Sequence, residues 1–248
     1  MFPIRDHNPS QRTPYVVYAL IAANVAVFLY EMASVHGDRA LMQFYFDYAM
    51  IPARFTAGEN PQALITSMFM HAGFMHIAGN MLFLWIFGDN LEDQMGHFGF
   101  LAFYLACGVA AALAQVSSGP SSVVPMVGAS GAIAGVMGGY LLLFPKARVD
   151  VLLFIVILVR IFTVPAWIML GLWFALQLFG GLGSSSDEGG VAYWAHAGGF
   201  MAGLVLVFPV WFRRGGSDYW QKTQGHPPNP DAAYEISKSR IPAVRRKR

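Results

Sequence analysis

Five stretches of this chain, residues 13–30, 60–88, 94–145, 161–186 and 189–212, contain no Asp, Glu, Lys or Arg. A helix needs about 20 apolar residues to cross the ~30 Å of hydrocarbon in a bilayer. Uncharged runs of this length therefore point to a polytopic membrane protein. Stretch 94–145 is too long for one span, and it breaks at the turn cluster Ser117-Ser118-Gly119-Pro120-Ser121-Ser122. The reading is an all-α bundle of six transmembrane helices, at about 15–33, 72–88, 98–116, 128–144, 165–181 and 192–212. Residues 151–159 are apolar but too few to span. They read as an interfacial or re-entrant element before the fifth helix, with a tilted seventh element as the alternative.

Composition agrees with this class. Charged residues make up 12% of the chain and apolar residues 56%, with mean hydropathy +0.47; soluble domains carry about 25% charge. Disorder, collagen and coiled coil are excluded. The net charge of +2 has its basic excess in the C-terminal tail, which argues against a nucleic-acid partner. The single cysteine, Cys107, allows neither an internal disulfide nor a thiolate metal cluster. The start of the chain is polar and its first apolar run lacks a clean cleavage site, so that run reads as a retained helix.

Three parts follow: a cytoplasmic N-terminal segment over 1–14, a six-helix membrane domain over 15–212, and a basic, disordered cytoplasmic tail over 213–248 that touches anionic lipid at most. With the N-terminus inside, fourteen Lys and Arg residues fall on inner segments and only Arg39 and Arg54 on outer ones. Both termini are thus expected in the cytoplasm. Phe44, Tyr45, Phe46 and Tyr48 in the first outer loop suit the membrane interface.

In an up-and-down bundle of six, helices two, four and six start on the same face, here the outer one. The second begins with His71, His76 and Asn80, the fourth with Gly128-Ala129-Ser130-Gly131, and the sixth with Ala195-His196. Strongly polar side chains inside spans are costly and suggest function. Gly131, Gly135 and Gly139 recur every four residues below Ser130, while Gly199 and Gly203 lie below His196. Small residues let membrane helices approach closely, so packing through these stripes brings Ser130 and His196 together. Imidazole is a suitable base for a serine hydroxyl near neutral pH. His76 and Asn80, four apart on one helix face, offer N–H donors to an oxyanion, as does the Ser130 backbone N–H at a helix start. His71 and His76, five apart, cannot share one metal on a regular helix.

No carboxylate is placed to complete a triad. Asp89, Glu92 and Asp93 lie at the inner end of the second helix and Glu31 ends the first. Asp187 and Glu188 lie in an outer loop that nothing ties to His196. A Ser/His dyad is therefore expected. Singly, each motif has a plainer reading: Gly-Ala-Ser-Gly as close packing, a lone His as an interfacial or core residue, His76 and Asn80 as interhelical hydrogen-bond glue, and His71 as structural. Their joint placement on one face favours a site.

These residues resemble the rhomboid intramembrane serine proteases over most of 14–212. The resemblance is carried by Phe2-Pro3-Ile4-Arg5-Asp6, by Thr66-Ser67-Met68-Phe69-Met70-His71 continuing to His76 and Asn80, by Gly128-Ala129-Ser130-Gly131, and by Ala195-His196 with Gly199 and Gly203. It implies Ser130 as nucleophile, His196 as base, and an oxyanion site from His76, Asn80 and the Ser130 N–H. Gly128 would keep the backbone beside the nucleophile open. It also implies a protease domain over 15–212, substrates that are transmembrane helices entering sideways from lipid, no cofactor, no metal and a bacterial inner membrane. The chain departs from the family at Gln62-Ala63, where many members carry Trp-Arg, and at Ala134, where some carry an aromatic residue that packs on the histidine. A transporter would instead show inverted repeats and midplane polar groups, and a pseudoprotease would lack the serine or the histidine.

Overall fold

The structure, a computed structural model, describes residues 2–155, 158–184 and 190–226. It is mostly helical. Six apolar helices fall on the six expected segments: α1 (Tyr15–Ser34), α5 (Phe74–Met95), α6 (His97–Ser118), α7 (Ser130–Leu143), α8 (Ala166–Gly183) and α9 (Tyr193–Arg213). Between α1 and α5 run three short helices, α2 (Asp38–Tyr48), α3 (Pro52–Thr56) and α4 (Ala63–Thr66), the last followed by a 3₁₀ turn over Ser67–Phe69.

By length and composition α1, α6, α8 and α9 can cross a bilayer. The pair Ala63–Phe69 and Phe74–Met95, bent by 98°, makes a fifth candidate. Helix α7 has 14 residues, about 21 Å at 1.5 Å per residue, so it falls some 9 Å short of ~30 Å of hydrocarbon. It is nonetheless the centre of the bundle. Residues Gly131 to Tyr140 are all buried, packed by α5, α6 and α9.

The expected glycine seam forms with one shift. A Cβ on Gly199 would overlap the Gly131 carbonyl, and one on Gly203 the Gly135 carbonyl. The backbones of α7 and α9 touch there, as small-residue faces permit. Gly139, however, faces Phe103 of α6 and Leu91 of α5, while Gly138 rests on Phe200 of α9. Four-residue steps overshoot a 3.6-residue turn by about 40°, so a strict four-residue stripe drifts off the facing helix.

The chain is not all-α, which corrects the sequence reading. Strands β1 (Phe2–Asp6), β2 (Arg148–Ile155) and β3 (Leu158–Pro165) form an antiparallel sheet in the order β1-β2-β3. The segment expected as a re-entrant or interfacial piece is thus part of a hairpin. Val149, Val151, Ile161, Thr163 and Val164 are β-branched and suit a pleated surface; Val149 and Val151 turn inward. The N-terminal segment supplies the third strand. Asp150 ties all three, accepting from Arg5 Nε at 2.6 Å, His7 Nε2 at 3.0 Å and Thr163 Oγ1 at 2.5 Å. Burial alone would raise its pKa, but these donors hold it down to about 2.

Acidic residues at the end of α5 serve the fold. Glu92, 2% exposed, accepts from the N–H groups of Val16 and Val17 at 2.9 Å each and so caps α1. Residues expected as tail are ordered at their start. Helix α10 (Ser217–Thr223) folds back on the bundle, with Trp220 Nε1 donating to Leu142 O at 2.9 Å. The rest of the expected disordered tail, 227–248, and the loop carboxylates Asp187 and Glu188 lie outside the described residues.

Candidate active site

The backbone ahead of α7 is held by the outer loop. Met50 and Met126 exchange backbone hydrogen bonds, Ala53 N donates to Ser122 O, and Gly128 N donates to Ser67 O at 2.9 Å. Gln62 is exposed and Ala63 is buried with Met50, Ala112 and Val116, and neither brings the indole or guanidinium of a Trp-Arg pair. Arg54 brings a guanidinium from elsewhere in the loop. Its guanidinium lies 3.6 Å over the Phe46 ring, donates to Phe46 O, and pairs with Glu59 at 3.0 Å.

This framework and the α7–α9 seam bring the expected residues into one cavity of about 900 Å³, lined by Ser130, His196, His76 and Asn80. Ser130 Oγ and His196 Nε2 are 2.8 Å apart. The other ring nitrogen, Nδ1, is 2.8 Å from Gln177 Oε1 of α8. An amide oxygen only accepts, so Nδ1 carries the hydrogen and Nε2 is left to accept from the serine hydroxyl. Gln177 is itself oriented by its amide, which donates to Trp173 O at 3.4 Å. The Trp173 ring lies 5.7 Å from His196, tilted by 37°. It supplies from α8 the aromatic neighbour that Ala134 cannot. Gln115 Oε1 accepts from Ala195 N at 3.1 Å and fixes the start of α9.

Donors converge beside the serine. Ala72 N donates to His76 Nδ1 at 3.4 Å, so the ring proton sits on Nε2. Asn80 Nδ2 is buried without a hydrogen-bond partner among the described residues. Both groups flank Gly128, where a Cβ would stand 2.8 Å from His76 Nε2 and 3.6 Å from Asn80 Nδ2, and where φ is +126°. Only glycine leaves that corner open. The Ser130 N–H opens α7 and has no helical acceptor. His71 precedes α5 rather than sharing it, is fully buried, and packs edge-on to His76 at 5.1 Å. Among the described residues no three His, Cys, Asp or Glu side chains converge as metal ligands. Cys107 is buried against Gly135.

Gln177 and Trp173 were not foreseen. A glutamine inside an uncharged span was the available signal. Helix α8 packs on α9 through Phe174, stacked on Phe200 at 4.6 Å, and Trp167 is exposed. The cavity reaches between α5 and α8, with Met75, Gly79 and Phe83 on one side and Trp173 on the other.

A family model of the rhomboid domain matches residues 59–213. The chain is 32% identical over 197 residues to the mitochondrial rhomboid protein 1 of Saccharomyces cerevisiae, covering 77% of this chain and 51% of that protein. It is 40% identical over 78 residues to the rhomboid protease GluP of Bacillus subtilis, covering 32% of this chain and 15% of that one. To the human mitochondrial presenilin-associated rhomboid-like protein it is 30% identical over 151 residues, 57% of this chain and 35% of that one. The chain spans about half the length of the yeast relative and less of the other two.

Proposed function

The chain belongs to the rhomboid family, and from that premise we propose that it is an intramembrane serine endopeptidase that cuts transmembrane helices of other proteins with a Ser130/His196 dyad. The observation that carries the reading is the 2.8 Å pair of Ser130 Oγ and His196 Nε2 at the wall of the cavity. A protease among the relatives supports it at the family level.

The chemistry runs in two halves. Ser130 Oγ attacks the scissile carbonyl carbon while His196 Nε2 takes the hydroxyl proton. The carbonyl oxygen becomes an oxyanion and accepts from the Ser130 N–H, His76 Nε2 and Asn80 Nδ2. The tetrahedral adduct collapses, the C–N bond breaks, and the leaving amine takes the proton from His196. Water then attacks the acyl-serine with His196 again as base, releasing the acid and restoring Ser130.

Six crossings belong to this reading, with α7 as the short one. Its missing length sinks Ser130 below the outer surface, and the open cavity brings water to it. A substrate helix reaches it from lipid between α5 and α8. Both termini then face the cytoplasm. The protein is integral to a membrane. Two of the relatives are named mitochondrial, so placement in a bacterial inner membrane gains no support from them.

The test is labelling of purified protein with a serine-reactive phosphonate, beside cleavage of a model transmembrane substrate. Wild type labels and cuts; Ser130→Ala does neither; His196→Ala does not cut. Wild type and both variants elute as folded protein. Normal cleavage by Ser130→Ala sinks the mechanism, and absence of labelling in wild type favours a transporter or a binding protein.

A further inference from the structure

At the end of the bundle opposite the dyad, a second groove of about 960 Å³ opens between α6 and α9. Arg213 lies 17 positions after His196 on α9, about 26 Å along the helix. The upper groove is apolar and shallow-walled: Gly99, Ala102 and Ala106 of α6 face Leu206 and Val210 of α9. Ala102, Ala106 and Leu206 are exposed, on two helices long and apolar enough to span. In a bilayer such exposed apolar faces meet lipid.

The lower end is polar and under-satisfied. Arg213 and Arg214 are both exposed, and neither makes an ion pair among the described residues, Asp218 of α10 included. Tyr219, 6% exposed, lines the groove with a buried hydroxyl that has no hydrogen-bond partner among the described residues, and Gln94 Oε1 is in the same state. A buried polar group without a partner costs stability unless something supplies one.

We propose that this groove is a binding site for one anionic glycerophospholipid, its phosphodiester on Arg213, Arg214 and the Tyr219 hydroxyl and an acyl chain along Gly99, Ala102 and Ala106. Charge complementarity selects the occupant. Two guanidinium forks without an ion pair among the described residues match phosphate oxygens, and the phenol donates to a third acceptor. Gln94 Oε1 requires a donor, which the hydroxyl of a glycerol headgroup supplies. The site is independent of the proteolytic reading, because it uses none of the residues around Ser130.

The experiment is native mass spectrometry of the delipidated full chain in detergent, titrated separately with phosphatidylglycerol, phosphatidylcholine and inorganic phosphate. Wild type retains one phosphatidylglycerol at concentrations where phosphatidylcholine is lost, and phosphate does not displace it. The double variant Arg213→Gln/Arg214→Gln binds phosphatidylglycerol about thirty-fold more weakly, with phosphatidylcholine unchanged. Tyr219→Phe weakens it about threefold. Ala106→Phe, which fills the acyl track with both arginines kept, also weakens it, and Ala102→Val serves should that variant fail to fold. Equal retention of the two lipids overturns the proposal. So does displacement by inorganic phosphate, which marks an ion site, or indifference to both track-filling variants, which marks non-specific surface attraction.

Discussion

Gln177 Oε1 lies 2.8 Å from His196 Nδ1, in the position where a triad would have a carboxylate. An amide can fix the tautomer and orientation of the ring, but it brings no charge to stabilise the imidazolium that forms during attack. Gln177→Ala should therefore lower kcat about 3- to 10-fold, the worth of one neutral hydrogen bond, with KM and melting temperature little changed. Gln177→Glu should move the acidic limb of the pH–rate profile to higher pH, because a carboxylate favours the protonated ring. A purely structural role for Gln177 predicts loss of activity in step with melting temperature and no movement of the profile.

Gly128 has φ +126°, and a Cβ there would meet His76 Nε2 at 2.8 Å. Gly128→Ala should strain the backbone and push a methyl group into the space where the carbonyl oxygen of a substrate would turn. We expect a loss of 100-fold or more in kcat, comparable to removing an oxyanion donor. Phosphonate labelling should slow in parallel. Wild-type turnover in Gly128→Ala would remove this corner from the proposed site.

How much of this was legible beforehand depends on the kind of signal. The six apolar helices follow from where charge is missing, and the meeting of Ser130 with His196 follows from their starts sharing a face. The β2–β3 hairpin did not follow, since a short apolar run has no length or periodicity to separate strand from helix. Strand β1 was hidden further, because Arg5 finds Asp150 across 145 positions and local pattern carries no trace of such a pairing. Gln177 stands where a triad would carry a carboxylate, and a neutral amide does not announce that place by its charge. Arg54 bears in the sequence only on topology, and its stacking on Phe46 leaves no mark in local pattern.

His76 and Asn80 supply two of the three proposed donors. Loss of a single donor from such a site costs about 10²–10³ in kcat in a soluble protease. The donors overlap here, so His76→Ala and Asn80→Ala should each cost that much or less. Ser130 should still label, though more slowly, because nucleophile and base remain. If the two residues act only as interhelical glue, activity will fall in proportion to folded protein. Melting temperature and single-turnover cleavage on the same samples separate the two roles.

At the opposite end of the bundle β1 meets α5 and α7. Asp6 Oδ2 accepts from Tyr140 Oη at 2.7 Å and from Asn90 Nδ2 at 3.0 Å. Burial first, and then the charge of Asp89, raise the Asp6 pKa to about 8 against the pull of these donors. The folded protein therefore binds one more proton than the unfolded chain between about pH 4 and pH 8. Through that window the stability from this group is greatest at the acidic end, falls as pH rises, and is level above about 8. Asp150 acts elsewhere, since its pKa of about 2 confines its loss to the range below about pH 4. Asp6→Asn keeps an acceptor for Tyr140 but cannot ionise, so the variant should lose this slope. Melting temperatures of wild type and Asp6→Asn at pH 5, 7 and 9 decide the matter. The difference between them should shift in favour of the variant as pH rises from 5 to 9. A difference that stays constant with pH would show that Asp6 does not hold a proton where β1 meets α5 and α7.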